Sequence, residues 1–364
     1  MFPLLERARA RHRVAAVGLA AAMGAFALSV ATPAQAAGTF TSYPTPTPAS
    51  IPCVTAGGPD GAAWFVEALA NKIGRIDPAT GATAEFPIPW STAQLPASLS
   101  WLNLPVATPA PVTALPCAIT AGPDGKIYFA NGLRNQLGSI DPQTKAFALY
   151  SVPGVGGNLF PFNDLAADPA GAIWFTQTTA NTIGRFDIAT KTFTSYPVPT
   201  PGALPIGVFT GSNGDVWFTE ALGNKIGRID AATRTITEYP VPSLLAVPFV
   251  MRAETDGGRY VWFTELGASK LGRIDTVTGS VSEVPVPVPL SFPIGICSSP
   301  QGKIYFTYLL RDKLGAYDPA TGVFTETSVP GGPLGPPAEL NYGPGDAVWM
   351  AQLTGSRVLR YSPA

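Results

Sequence analysis

The chain has 364 residues, with 23 basic and 24 acidic side chains, so its formal net charge is −1. Only 13% of the residues are charged and no basic block occurs, which argues against nucleic acid and anionic membranes as partners. A hydrophobic content of 46% can build a large core, and 38 glycines with 39 prolines indicate frequent turns rather than disorder.

Residues 1–36 have the pattern of a secretory signal peptide. Arginines precede an apolar, alanine-rich run at 14–30, and an A-x-A cleavage signature stands at 34–36. We expect cleavage near Ala36, a secreted or extracytoplasmic protein, and a single mature domain over 37–364. An uncleaved anchor is the alternative, although the run is just short of the roughly 18 apolar residues that suggest a membrane span.

One heptapeptide recurs along the mature chain. "NKIGRID" occurs twice, and its related copies bring the total to seven, beginning at residues 71, 135, 181, 224, 269, 312 and 356. Each copy follows an aromatic pair such as Trp217-Phe218 at a fixed distance. A unit of this length repeated so often indicates a solenoid or a propeller.

Each unit is predicted to contain four short strands. A strand after a proline leads through a turn such as "GPDG" into a second strand of the "VWFTE" type, which is rich in aromatic and β-branched residues. A bend containing Asn leads to the "IGRID" strand, and an Asp turn leads to a fourth strand that ends in "YPVP". Proline at that end suits an outer edge strand.

The ends of the chain predict ring closure. The last unit stops after its third strand, whereas residues 39–46, "TFTSYPTP", look like a fourth strand without a blade. The sequence therefore predicts an all-β fold, a seven-bladed β-propeller of four-stranded antiparallel blades in which the N-terminal strand completes the last blade.

Most of the repeat is interpreted as scaffold. The Ile and the aromatic residues fill the space between blades, the repeat glycines let neighbouring sheets approach, and the Asp begins a turn. The repeat Arg is expected to lie over apolar surface and to pair with carboxylates.

Two rings of residues are expected at one mouth of the central channel, where strand one begins and strand two ends. The first ring follows each opening proline: Cys53, Cys117, Asn163, Ile206, Phe249, Ile294 and Ala338. The second ring stands three residues beyond each repeat aromatic: Glu67, Asn131, Gln177, Glu220, Glu265, Tyr308 and Gln352. Asp164 and Glu339 add acids one step along strand one. Function tends to reside in such variation on a fixed scaffold.

A binding site is predicted among these rings, with Glu67, Asn163, Asp164, Gln177, Glu220, Glu265, Tyr308 and Glu339 as its candidates. Glu220 and Glu265 hold matching places on adjacent blades and can share a cation such as Mg²⁺ or Ca²⁺, with Gln177 or water completing the ligands. The alternative is structural, with each glutamate capping a turn or pairing with the lysine at 225 or 270.

An insertion at 90–112 lies between blades one and two on the mouth face. It is either a lid over a binding cleft or a proline-rich filler packed over blade edges.

Cys53 and Cys117 hold the same position in neighbouring blades, so a disulfide between them is geometrically feasible, and two buried thiols are the alternative. Cys297 lies deeper in a first strand and is expected to be a buried free thiol.

Histidine is absent from the mature sequence, since the only one is His12. General acid–base catalysis by histidine and histidine metal ligation are therefore excluded. No HExxH, phosphate-loop or G-x-S-x-G motif occurs.

The repeat unit resembles the virginiamycin B lyase (streptogramin lyase) family over the whole mature chain, most closely in "GDVWFTEALGNKIGRID" at 214–230. The resemblance implies a seven-bladed propeller and ring opening of type B streptogramins by elimination with Mg²⁺. The family's catalytic histidines stand at the first-ring position of two late blades, followed by a metal-binding Glu in the second ring. Here the corresponding residues are Ile294, Ala338, Tyr308 and Gln352.

Two functions remain open beside a purely structural role in the cell envelope. The first is a monomeric, non-catalytic binding protein for a small molecule, glycan or peptide at the channel mouth, with no catalytic residue assigned. The second is an enzyme, either a divergent lyase or a lactonase-like hydrolase that uses carboxylates and a divalent ion.

Overall fold

The structure, a computed structural model, describes residues 38–89, 115–154, 164–331 and 337–364. Within these ranges the fold is all-β, and its 28 strands form seven four-stranded antiparallel sheets. Two short 3₁₀ turns, Gly132–Arg134 and Thr178–Ala180, interrupt the strands. A membrane-spanning helix, long and apolar enough to cross a bilayer, is not found in these ranges.

The first three blades follow the predicted order of strands. Blade one contains β2 (Pro52–Gly57), β3 (Ala63–Glu67), β4 (Lys72–Ile76) and β5 (Thr83–Pro87). Blade two contains β6 (Pro116–Ala121), β7 (Ile127–Asn131), β8 (Gln136–Ile140) and β9 (Phe147–Ser151). Blade three contains β10 (Leu165–Asp168), β11 (Ala172–Gln177), β12 (Thr182–Asp187) and β13 (Thr192–Pro197).

The next three blades repeat this order. Blade four contains β14 (Pro205–Thr210), β15 (Val216–Glu220), β16 (Lys225–Ile229) and β17 (Ile236–Pro240). Blade five contains β18 (Pro248–Thr255), β19 (Tyr260–Glu265), β20 (Lys270–Asp275) and β21 (Val281–Pro285). Blade six contains β22 (Pro293–Ser298), β23 (Ile304–Tyr308), β24 (Arg311–Asp318) and β25 (Val323–Ser328).

The last blade joins the two ends of the chain, as the sequence predicts. It contains β26 (Pro337–Gly343), β27 (Ala347–Gln352), β28 (Arg357–Ser362) and the N-terminal strand β1 (Thr39–Pro44). β1 pairs antiparallel with β28, from Thr39 opposite Ser362 to Pro44 opposite Arg357. The innermost strand of each blade contacts that of the next, and β26 contacts β2, so the ring is closed.

The core lies between blades. Trp174 of blade three, for example, is fully buried in one cluster with Val208 and Phe218 of blade four. Because each interface is built from the same repeat positions, the aromatic residues of strand two hold adjacent blades together, as expected.

The repeat glycines serve a different purpose from the one the sequence suggested. Gly227 lies opposite Phe218 in the same blade, and a Cβ built on it would stand 2.0 Å from Phe218 Cζ. The same arrangement recurs at Gly74, Gly138, Gly184, Gly272 and Gly315. The glycine therefore leaves room for the phenylalanine ring of its own blade. Blade seven lacks both partners and pairs Met350 with Leu359.

The polar residues of the repeat behave as predicted. Arg228 Nε donates to Asp215 Oδ2 at 2.8 Å, and its guanidinium lies 5.8 Å from the centre of the Trp217 ring. Asp230 Oδ1 accepts the backbone N–H groups of the turn that follows it. The bend residue Asn224 has a φ of 53°, in the left-handed region.

Candidate functional site

The first ring is positioned by hydrogen bonds between blades. Thr219, in the "WFT" stretch of blade four, donates to the carbonyl oxygen of Phe249 in blade five at 2.7 Å. The same threonine position donates to the first-ring carbonyl of the next blade at Thr176, Thr264 and Thr307. The "WFT" threonine thus fixes four of the first-ring residues, Ile206, Phe249, Ile294 and Ala338, against the preceding blade.

The first-ring side chains meet around one cavity, as predicted. The cavity has a volume of about 310 Å³, and its first-ring lining residues are Cys53, Cys117, Ile206, Phe249, Ile294 and Ala338. Asn163, the seventh member, lies outside the described residues. We call this space the mouth cavity.

A third set of residues, not singled out from the sequence, completes the wall. Leu266, Leu309 and Leu353 line the mouth cavity, and each follows directly after a second-ring residue. Side chains alternate in direction along a strand, so the residue after the second ring faces the axis. Together with Val54, these leucines make the lining predominantly apolar.

Glu339 is the only carboxylate among the described residues that line the mouth cavity. Its side chain is 22% exposed, and its Oε2 lies 3.3 Å from the Arg252 guanidinium nitrogen Nη1. Burial raises the pKa of Glu339 to about 7, although Arg252 opposes the rise.

Arg252 also forms an ion pair with Asp164 through Nη2 and Oδ1. The Asp164 carboxylate accepts two backbone N–H groups as well, from Leu165 at 2.8 Å and from Val208 at 3.3 Å. Burial nevertheless raises the pKa of Asp164. For Arg252, burial is outweighed by the two carboxylates, which raise its pKa. Asp164 and Glu339, two predicted site residues from distant blades, are therefore brought together by an arginine that the sequence reading missed.

A β-bulge places Arg252. In β18, Met251 is opposite Phe263 and Ala253 is opposite Trp262, so Arg252 is the extra residue between two consecutive pairs. Bulges re-aim side chains, and they are common beside functional sites. The signal was present in the sequence, because the aromatic of strand two stands fourteen positions after Pro248, whereas in blade four it stands twelve positions after Pro205.

The second ring is located differently from the expected mouth position. All seven members are at most 2% exposed: Glu67, Asn131, Gln177, Glu220, Glu265, Tyr308 and Gln352. Their strand-end backbone is near the mouth, but none of the seven side chains lines the mouth cavity.

Glu220 illustrates the arrangement in three blades. Its neighbours are the Glu238 carboxylate and the Lys225 ammonium. Lys225 Nζ lies 2.7 Å from Glu238 Oε2, and Thr200 donates to both Glu238 oxygens at 2.8 Å. Burial, followed by the charge of Glu238, raises the pKa of Glu220 to about 7. With one ammonium for two carboxyl groups, Glu220 is the carboxyl that binds a proton as the pH falls through about 7, and both of its oxygens are buried without a hydrogen-bond partner.

The same cluster recurs in blades one and five. Glu67 has Glu85 and Lys72 as neighbours, and burial raises the pKa of Glu67 to about 8. In blade five, Glu265 has Glu283 and Lys270, and burial likewise raises the pKa of Glu265 to about 8. We call these three groups the carboxyl-pair clusters.

The other predicted second-ring candidates also bond within their blades. Gln177 Oε1 accepts from the hydroxyls of Thr182 at 2.8 Å and Ser195 at 2.9 Å. Tyr308 donates to Glu326 Oε1 at 2.7 Å. These contacts favour a scaffold role for the second ring.

The residues present do not fit the Mg²⁺ that the resemblance implies. Glu220 and Glu265 each belong to the cluster of their own blade, where a lysine ammonium already supplies the positive charge. In the described ranges, no group of three or more His, Cys, Asp or Glu side chains is placed to hold a metal ion. The shared cation site at Glu220 and Glu265 stays a prediction without support from the donor set.

The cysteines lie where they were expected. Cys53 and Cys117 line the mouth cavity as free thiols, and hydrogen bonding to Cys53, followed by burial, raises the pKa of Cys117. Their contact is compatible with the predicted disulfide, which stays a prediction. Cys297 is a buried free thiol. The 1–36 segment and the 90–112 insertion lie outside the described residues.

Comparison with known proteins agrees with this architecture. Residues 106–364 match the virginiamycin B lyase family. A structure of streptogramin B lyase is 26% identical, covers 90% of this chain and 98% of its own, and superposes with a TM-score of 0.76. A catalytically inactive variant of virginiamycin B lyase from Staphylococcus aureus, in complex with quinupristin, is 23% identical. The match covers 89% of this chain and 99% of that variant, with a TM-score of 0.76.

A comparison with curated proteins gave no significant match. The family match covers more than half of the chain and coincides with the predicted repeat and the observed seven blades. The chain belongs to the virginiamycin B lyase family.

Proposed function

We propose that this chain is an exported binding protein that holds an apolar small molecule, or the apolar part of a peptide, in the mouth cavity. The proposal includes the absence of the family's histidine-dependent lyase reaction. The observation that carries it is the composition of the first ring, where Cys53, Cys117, Ile206, Phe249, Ile294 and Ala338 line an apolar cavity.

The apolar chemistry of the lining limits the classes of ligand that fit the mouth cavity. Apolar walls with few polar groups are typical of sites for small organic molecules. A glycan fits less well, because its hydroxyls would lose hydrogen bonds to water and find few partners there.

The relatives support the absence of lyase chemistry. The inactive Staphylococcus aureus enzyme complexed with quinupristin carries a histidine-to-alanine change. The present chain has no histidine beyond His12. Ile294 and Ala338 stand at the first-ring positions of the two late blades, and neither can remove a proton.

Binding is tested by titrating the purified mature protein with quinupristin and with an apolar fluorescent dye, following fluorescence and heat. The matched variant is Ile294→Arg, which puts a charge on the cavity wall, and the control is Val323→Arg on the exposed outer strand β25. We expect Ile294→Arg to abolish binding and the control to retain it. Equal binding by both variants would place the ligand elsewhere and contradict the proposal.

A second candidate function rests on Glu339. A carboxylate with a pKa of about 7 that reaches an apolar cavity has the properties of a general base. A divergent lyase using Glu339 would show a rate that rises with pH through about 7 and is lost in Glu339→Gln. A rate independent of Glu339 would exclude this version.

A further inference from the structure

The buried charges beneath the mouth cavity do not balance. Arg252 supplies one positive charge, whereas Asp164 and Glu339 supply two carboxylates. The Arg252 side chain is 11% exposed and that of Asp164 is 3% exposed, so water screens this group only weakly.

The surplus charge belongs to Glu339 rather than to Asp164. Asp164 accepts two backbone hydrogen bonds in addition to its ion pair with Arg252. Glu339 Oε2 is buried and makes no hydrogen bond, although Arg252 lies 3.3 Å away. Glu339 is thus the under-satisfied carboxylate of the group, and it is also the one that reaches the cavity.

The remaining titratable groups around Glu339 do not offset this charge. Cys117 faces it from blade two, and its thiol stays neutral because hydrogen bonding to Cys53 and burial raise its pKa. Cys297 lies near Arg252, and burial likewise keeps its thiol neutral by raising its pKa. A cationic group is therefore the missing partner of the cavity floor.

We propose that the mouth cavity selects a ligand with an apolar body and one ammonium group, and that Glu339 is the counter-ion of that ammonium. This inference rests on the proposed binding function and names the chemical class of its ligand. The apolar walls hold the body of the ligand, and an ammonium donates to the part of the Glu339 carboxylate that reaches the cavity, adding a charge-assisted hydrogen bond to its single ion pair with Arg252.

The pH dependence follows from the same geometry. Burial raises the pKa of Glu339 to about 7, so the carboxylate is charged above this pH and protonated below it. The preference for an ammonium is therefore present in alkaline solution and lost in acid.

The test compares two probes that share one apolar body, 4-phenylbutylammonium and 4-phenylbutanol. Calorimetric titration of the mature protein measures both at about pH 8.5 and about pH 5.5, and the ammonium keeps its charge at both values. We expect the ammonium to bind about tenfold tighter than the alcohol at the higher pH, and the ratio to approach one at the lower pH.

Glu339→Gln should bind both probes equally at both pH values. The control Glu254→Gln removes one negative charge from the neighbouring part of β18, where Glu254 accepts from Ser212, and it should keep the preference of the wild type. If Glu339→Gln fails to fold, the proposal is tested by the wild type alone, through the ratio of the affinities for the two probes at the two pH values.

The outcomes separate the two proposals. Equal binding of both probes at pH 8.5, or a preference that survives in Glu339→Gln, overturns the counter-ion role while the binding function stands. Binding of neither probe to the folded protein overturns both. A preference that disappears with Glu339 and in acid supports both.

Discussion

The carboxyl-pair clusters make folding depend on bound protons, and blade four offers the sharpest test. Glu220 is fully buried beside Glu238, and its pKa rises from an ordinary value of 4.5 to about 7. The pKa of Glu220 is higher in the folded protein than in the unfolded chain. Its contribution to the free energy of unfolding is therefore fully present below about pH 4.5. It is lost as the pH rises through about 7. The difference corresponds to about 3 kcal/mol, at about 1.4 kcal/mol per pH unit.

The perturbation is Glu220→Gln. A glutamine amide has nearly the shape of the protonated carboxyl, and it stays neutral at every pH of the experiment. Between about pH 5 and about pH 8.5, the free energy of unfolding should fall by about 3 kcal/mol more in the wild type than in Glu220→Gln. Urea denaturation across this range measures the difference.

Asp230→Asn is the control in the same blade. Hydrogen bonds from the backbone of Thr233 and Ala232 lower the pKa of Asp230, so it titrates below this range. The control should therefore differ from the wild type by a constant amount. A constant difference for Glu220→Gln as well would show that Glu220 is ionised throughout, and it would refute the claim that folded Glu220 binds a proton.

Three further changes probe the scaffold and the buried charges. Gly227→Ala should cost about 1–3 kcal/mol or more in urea denaturation, because the new Cβ would overlap the buried Phe218 ring. Gln177→Glu should destabilise the protein at alkaline pH and much less in acid, because blade three has Thr182 in place of the cluster lysine. Arg252→Met should cost about 3–5 kcal/mol near pH 8, because two buried carboxylates lose their cation, and acid should restore part of the loss.

Each of these has a contradicting result. Wild-type stability of Gly227→Ala would mean that the blade can shift to admit a methyl group. A pH-independent effect of Gln177→Glu would mean that the new carboxyl reaches water. A neutral Arg252→Met would mean that its carboxylate partners are already protonated at that pH.

The fold could be predicted because the same structural unit is repeated seven times in the sequence. The aromatic pair, the Asn bend and the Asp turn each fix one local conformation, and their common spacing fixes the blade. The ring closure followed from the unmatched strands at the two ends, and the pairing of β1 with β28 confirmed it.

The glutamate positions were predicted but not their direction. Alternation along strand two turns Glu265 into its own blade and Leu266 toward the axis. The repeat already contained the pattern that predicts this direction, because Glu220 and Glu265 are each accompanied by a lysine and by a fourth-strand glutamate. That accompaniment indicates a local structural cluster rather than a shared ligand site.

Arg252 could not be placed from its residue type alone. Its position depends on a bulge in β18, and the longer spacing after Pro248 does not tell where along the strand the extra residue falls. An ion group that joins blades three, five and seven also needs the closed ring, since Asp164 and Glu339 are distant in sequence and meet only across the channel.

The central claim, a family propeller that binds at its mouth without the family's reaction, is tested most directly by a turnover measurement. The mature protein, at a concentration equal to that of quinupristin, is incubated with Mg²⁺ and followed by chromatography with mass detection. Elimination opens the ring without a change in mass, so a shifted peak of unchanged mass reports it. We predict saturable binding and no such peak. An opened product that forms with the wild type and disappears with Glu339→Gln would contradict the claim and establish a histidine-free lyase.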